Sequence, residues 1–148
     1  MITKLTMSNE LVARQVYRVF QRSYKIEATL IGVDKFPPLF RPLADFVDSQ
    51  TEFYGVIDGD ALTAVIEVSA DGEYLMIDSL VVDPDYFKQG LAGKLLQFVM
   101  EYTSFNKLIV ETATLNKPAI RLYQKYGFCI NRYYTPAHGI EKVVMTLK

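Results

Sequence analysis

Apolar and polar residues recur along this chain with two different periods, and the switches between them mark its elements. Ser8-Asn9-Glu10 opens a run in which Leu11, Val12, Val16, Val19 and Phe20 fall near helical spacing, with Arg14, Gln15, Arg18 and Gln21 elsewhere. This predicts an amphipathic helix to about Tyr24. Residues 32–40 are looser. Pro37-Pro38 rules out a continuous helix there, because proline lacks the backbone donor and restricts its predecessor. A short helix resumes near Pro42 and covers Leu43, Phe46 and Val47.

The period then becomes two. Residues 53–57 and 61–69 flank Asp58-Gly59-Asp60, a hairpin signal. Asp71-Gly72 marks a turn before residues 74–82, a run apolar on both faces apart from Asp78 and Ser79 and so read as a strand covered on both sides. Gly90-Leu91-Ala92-Gly93 starts a helix with Leu95, Leu96, Phe98, Val99 and Tyr102 on its apolar side. Residues 108–112 read as another strand. Asn116-Lys117-Pro118 opens a helix with proline at its favoured early position, lined by Ala119, Leu122, Tyr123 and Tyr126 and ended by Gly127. Residues 128–133 and 141–147 form a last antiparallel pair, joined through Pro136-Ala137-His138-Gly139. The order predicts an α/β mixed sheet with helices on both faces.

Composition narrows the chemistry. A chain of 148 residues suits one domain over 1–148, large enough to fold without a disulfide or metal staple. With 16 Lys+Arg against 17 Asp+Glu, the net charge of −1 supplies no basic field, so non-specific nucleic-acid binding is disfavoured. A single cysteine, Cys129, excludes a disulfide framework and multi-thiolate zinc sites. With a single histidine, His138, multi-histidine sites are excluded too, and no metal is expected. The first residues are too polar for a secretory core and the apolar runs too short for a membrane span. The default expectation is a cytoplasmic protein.

The most informative turn follows the strand Leu80-Val81-Val82. Gly90, Ala92 and Gly93 leave it nearly bare, so the amides of Lys88, Gln89, Gly90, Leu91, Ala92 and Gly93 can approach a bulky anion. The orphan N–H groups and positive end of the following helix favour phosphate there, and Lys88 and Lys94 add charge. The spacing is neither a Walker loop nor a Rossmann fingerprint. On these residues alone, phosphate binding and a helix start with small residues for tight packing stand level.

Further on stands Asn116-Lys-Pro-Ala119-Ile-Arg-Leu122-Tyr123-Gln-Lys-Tyr-Gly127-Phe128. With the turn at Phe87-Lys88-Gln89-Gly90-Leu91-Ala92, this resembles the GNAT superfamily of acyl-CoA-dependent N-acetyltransferases. Glu111, five residues before Asn116, and Tyr123, seven after it, are similar in spacing to the ribosomal-protein alanine and protein N-terminal acetyltransferase group. So is the tail Arg132-Tyr133-Tyr134-Thr135-Pro136, whereas Ile140-Glu141-Lys142 departs from that group. Phe87 also departs from the superfamily, which usually has Arg or Gln there.

The resemblance implies a mostly antiparallel sheet with a splayed parallel strand pair and acetyl-CoA as co-substrate. It also implies a primary amine acceptor, a small molecule or a peptide N-terminus, attacked directly in a ternary complex. Leu80, Val81 and Val82 would then carry a bulge, pair with the pantetheine arm and supply an oxyanion donor. Lys88, Gln89, Gly90, Leu91, Ala92 and Gly93 would hold the pyrophosphate. Asn116 would contact the cofactor arm, besides its helix-capping role. Tyr123 is the candidate acid for the departing thiolate, against a reading as a core aromatic. Glu111 is the candidate base, against a surface or capping carboxylate, and Asp78 and Glu67 are its rivals.

Cys129 reads as a packed core thiol and His138 as a solvated turn residue. Tyr133 and Tyr134 line the acceptor groove or are ordinary strand residues. Phe36, Pro37, Pro38, Leu39 and Phe40 are an acceptor-side lid or a core-covering loop. Two competing functions remain: a non-catalytic acyl-CoA sensor, for which Phe87 is the motive, and a structural subunit. Relatives pair through edge strands, which leaves a homodimer open.

Overall fold

A computed structural model of the chain describes residues 1–102 and 104–148; the side chain of Tyr102, which helical spacing puts on an apolar face, lies outside the described residues. Among the described residues seven strands form one sheet: β1 (Ile2–Leu5), β2 (Glu52–Asp58), β3 (Ala61–Asp71), β4 (Tyr74–Val82), β5 (Lys107–Ala113), β6 (Cys129–Tyr134) and β7 (Lys142–Leu147). Their spatial order is β1-β2-β3-β4-β5-β7-β6. Among the described residues β4 and β5 are the one parallel pair, and every other neighbour is antiparallel. Among the described residues four α-helices, α1 (Glu10–Ile31), α2 (Leu43–Val47), α3 (Leu91–Tyr102) and α4 (Lys117–Lys125), cover the two faces.

Alternation along the strands sorts side chains between two cores. Phe53, Val65 and Val81 pack with Val16, Val19 and Phe20 of α1 and Phe46 of α2. Tyr54, Val56, Ala64, Ile66 and Ile77 pack on the opposite face with Leu95, Leu96 and Val99 of α3 and Tyr123 of α4. The mixed sheet with helices on both faces is as the sequence pattern predicts, and the Asp58-Gly59-Asp60 hairpin forms.

Two departures matter. Ile2–Leu5 is too short to announce itself by alternation, yet it adds an edge strand to β2. Helix α1 does not stop at Tyr24 but runs to Ile31, where Gly32 takes the left-handed conformation at φ 73°. The extra turns are held because Ala28 and Ile31 bury against Phe36 and Ala113. Asn9 starts the helix, its side chain accepting from the amides of Leu11 and Val12.

Candidate active site

Strands β4 and β5 pair from Tyr74 with Lys107 to Ile77 with Val110, then part, although β4 continues to Val82 and β5 to Ala113. The parting begins at a bulge. Glu67 of β3 faces Ser79 and Val68 faces Ile77, which leaves Asp78 without a partner. The extra residue also reverses the strand's alternation. Leu75 and Ile77 face α3 before it, and Leu80 and Val82 after it, while Val81 turns into the α1 core.

The backbone follows suit. The amide of Asp83 donates to the Thr63 carbonyl on β3 at 2.8 Å. The period of two then points the amides of Leu80 and Val82 away from β3, into the gap that β5 has vacated.

Below that gap lies a cavity of about 530 Å³. Its walls come from α1 (Ile26, Glu27, Leu30), β4 (Leu80, Val82), the turn and start of α3 (Phe87, Lys88, Gly90 to Gly93) and α4 (Asn116, Ala119, Tyr123). Most residues expected at a cofactor therefore meet there. Val81 and Gln89 are not among the lining residues, Val81 because the bulge turns it to the other face.

Lys88 at φ 63° and Gly90 at φ 73° are both left-handed. Such turns gather successive amides into anion-binding concavities, and here the free N–H groups of the first turn of α3 follow directly. Gly93 has a different reason to be small: a Cβ there would lie 2.6 Å from the Tyr126 hydroxyl. Both readings of the bare turn therefore hold, at different residues. Phe87, 41% exposed, stands in the same wall.

A second cavity of about 210 Å³ opens on the other side of the gap. The two share Glu27, Leu80, Asn116, Ala119 and Tyr123, so they are the ends of one cleft. Tyr123 is 5% exposed and packs edge-on to Phe128, with ring centroids 5.5 Å apart. Burial first, and then the nearby Tyr24 and Glu27, push its pKa up, which keeps the phenol protonated near neutral pH. Asn116 caps α4, its side chain accepting from the Ala119 amide at 3.2 Å.

The carboxylates divide sharply. Glu67, 2% exposed, is fully engaged. Arg41 grips it at 2.8 and 3.0 Å, Thr51 donates at 2.7 Å and Ser79 at 2.9 Å. It lines neither cavity, and no lone pair is left for a reacting proton. Glu111 does line the second cavity and accepts from the Tyr134 phenol. That bond, followed by burial, raises the Tyr134 pKa. Asp78 lines the cavity from the bulge, its pKa raised mainly by desolvation.

Glu27 and Tyr24 belong to the site as well, and a helix ending at Tyr24 hides them. The signal for them is the continued spacing Tyr17, Phe20, Tyr24, Glu27, Ala28, Ile31. Desolvation raises the Glu27 pKa, opposed by a hydrogen bond from Asn116 and by Lys142.

The remaining candidates sort by position. Pro37 and Pro38 line the second cavity while Phe36 is buried in a core cluster, so the segment is both wall and core. His138 lines the cavity from the β6–β7 connection. Tyr133 is exposed and outside the lining. The expectation of a packed Cys129 is overturned: it is exposed, because β6 is an edge strand with little cover.

Among the described residues no cluster of His, Cys, Asp and Glu is placed to hold a metal, and no helix is long and apolar enough to cross a membrane. Among the described residues, the parted parallel pair, the glycine turn at the foot of the gap and the buried phenol of Tyr123 are thus gathered around one cleft. Residues 13–128 match the model of the acetyltransferase (GNAT) family, and the chain belongs to that family.

It is 36% identical over 129 residues to the UPF0157 protein YqkA of Bacillus subtilis, a match that covers 86% of this chain and 38% of that protein. The chain thus spans little more than a third of that relative's length. It is 28% identical over 136 residues to the N-alpha-acetyltransferase RimI of Mycobacterium tuberculosis, covering 84% of each. The PaiA N-acetyltransferase of Thermoplasma acidophilum, solved in complex with coenzyme A, shares the fold with a TM-score of 0.77 at 18% identity, over 100% of this chain and 99% of that one.

Proposed function

We propose that the chain transfers the acetyl group of acetyl-CoA to a primary amine by direct attack in a ternary complex. The observation that carries this reading is the shared wall: Leu80, Asn116 and Tyr123 border both cavities, at the gap between β4 and β5. A thioester brought in from one side and an amine from the other would meet there.

The amides of residues 88–93 hold the pyrophosphate, with the Lys88 ammonium beside them. The pantetheine arm takes the place β5 has left, pairing with the free backbone edge at Leu80 and Val82, and one of those amides supports the oxyanion. Asn116 contacts the arm. The ammonium first gives one proton to Glu111, so that a neutral amine nitrogen bonds to the carbonyl carbon. The carbon–sulfur bond breaks, Tyr123 gives its proton to the thiolate, and the second proton shed by the nitrogen restores the Tyr123 phenol.

Calorimetric titration with acetyl-CoA, followed by thiol release with a panel of amines and peptide N-termini, tests this. Saturable binding with amine-dependent thiol release is expected. Binding without release across the panel would instead favour a sensor, the reading that Phe87 in the cavity wall keeps alive. Absence of binding would sink both.

A further inference from the structure

We infer that Glu67 is a positioning residue for the transfer step: through Ser79 it selects the bulged register of β4, which aims the Leu80 amide into the gap. The inference rests on the acetyl-transfer reading for what that amide does. Glu67 lines neither cavity, whereas Ser79 and Leu80 line the second one.

The pairing of β3 with β4 shows what the carboxylate chooses between. Val68 pairs with Ile77, so an unbroken antiparallel ladder would next set Glu67 against Asp78. Two carboxylates directly opposite each other repel. With Asp78 looped out, Glu67 meets Ser79 instead, and the Ser79 hydroxyl donates to it at 2.9 Å. The bulge thus replaces a like-charge pair with a charge-assisted hydrogen bond. One residue of slip reverses every position that follows it. In the unbroken ladder the Leu80 and Val82 amides would point back at β3.

The carboxylate that makes this choice is itself fixed. Arg41 holds both of its oxygens, at 2.8 and 3.0 Å, and Thr51 donates to it at 2.7 Å. The Ser79 carbonyl and the Leu80 N–H belong to one planar peptide group. Anchoring Ser79 therefore sets the direction of that N–H. Arg41 also ends the segment whose Pro37 and Pro38 line the second cavity, so one buried carboxylate joins the roof of that cavity to the bulge.

The test uses Ser79→Ala, Ser79→Thr and Thr51→Val in the whole chain, with two readouts. Amine-dependent thiol release gives kcat and the amine KM. Hydrogen exchange of the Val81 amide, which the bulged register turns to β3 as it does that of Asp83, reads the bulge without cofactor, as a ratio to amides of the β2–β3 ladder. Ser79→Ala is expected to lower kcat and to speed that exchange, each by about tenfold or more, the worth of one hydrogen bond to a charged group. The amine KM should change little. Ser79→Thr keeps the hydroxyl and should restore both readouts. Thr51→Val removes an equally short bond to the same carboxylate from a residue outside the cleft, and should cost stability without moving either readout. Combined with Glu67→Gln, the loss in kcat from Ser79→Ala should be less than additive, because the two residues act as a pair. An unchanged value of either readout in Ser79→Ala, or equal losses in Thr51→Val, overturns the inference. So does a rise in the amine KM alone, which would put Ser79 on the acceptor. If the wild-type chain releases no thiol, acetyl transfer is overturned, and the Val81 exchange by itself decides whether Glu67 holds the bulge.

Discussion

The phenol of Tyr134, on the edge strand β6, reaches over β7 and donates to the carboxylate of Glu111 on β5. The carboxylate read from the motif as a base is therefore oriented by a side chain 23 residues further along the chain. Under the proposed chemistry Glu111→Gln removes the proton acceptor and should lower kcat by ~10²-fold or more. Tyr134→Phe keeps the carboxylate and should lower kcat by less. Steady-state kinetics of the two variants with one amine decide the order, and a reversed order would assign the base role elsewhere.

Tyr123→Phe keeps the ring packed against Phe128 and removes the proton. kcat is expected to fall by ~10²–10⁴-fold, while acetyl-CoA affinity, measured by calorimetry, changes little. Wild-type turnover in this variant would return Tyr123 to the role of a core aromatic.

Arg41 contributes to stability through Glu67 and through the aromatic cage around it, lying 4.2 Å from the Phe46 ring centroid. Arg41→Ala strands a buried carboxylate and is expected to cost about 3–5 kcal/mol in denaturant unfolding. Combining Arg41→Met with Glu67→Gln removes the charge together with its partner and should recover part of the loss. A cost below about 1 kcal/mol for Arg41→Ala would mean that the pair is effectively solvated.

Asp83 ties α1 to the end of β4. It accepts from Arg18 at 3.2 Å and Arg22 at 3.2 Å, and caps the following turn through the Asp85 amide at 3.0 Å. Burial alone would raise its pKa, but the Asp85 amide and the two arginines outweigh burial and hold it below the usual carboxylate range. A depressed folded-state value adds stability that is complete above the unfolded value of about 3.9 and is lost as pH falls through the folded one. The thermal midpoint should drop below about pH 4, and Asp83→Asn should lower it at neutral pH and flatten that acid limb.

Gly90 and Gly93 separate the two readings of the turn. Gly90→Ala meets no neighbour but strains a left-handed residue, so acetyl-CoA affinity should fall by more than stability does. Gly93→Ala pushes against Tyr126, and there stability should fall as well. Equal effects on the two readouts in both variants would remove the anion-binding role of the turn.

Local chemistry made much of this molecule readable in one dimension. Helical and strand periods, the Asp58-Gly59-Asp60 hairpin, the Asn116 cap and the glycine turn each depend on neighbours a few residues away. Hence the order of the elements after β1 and the mixed sheet could be named from the chain alone, whereas Tyr123 and Asn116 were singled out for the cleft by the resemblance of their motif to a family. What packing decided lies at longer range. The last turns of α1 exist because Ala28 and Ile31 find Phe36 and Ala113, which brings Glu27 to the cleft. One unpaired residue at Asp78 reverses the faces of β4, withdraws Val81 and presents Leu80 and Val82. Glu67, Asp78 and Glu111 are all simply strand carboxylates in the sequence. The partners that fold around them make the first a sealed ion pair and leave the other two facing the cavity.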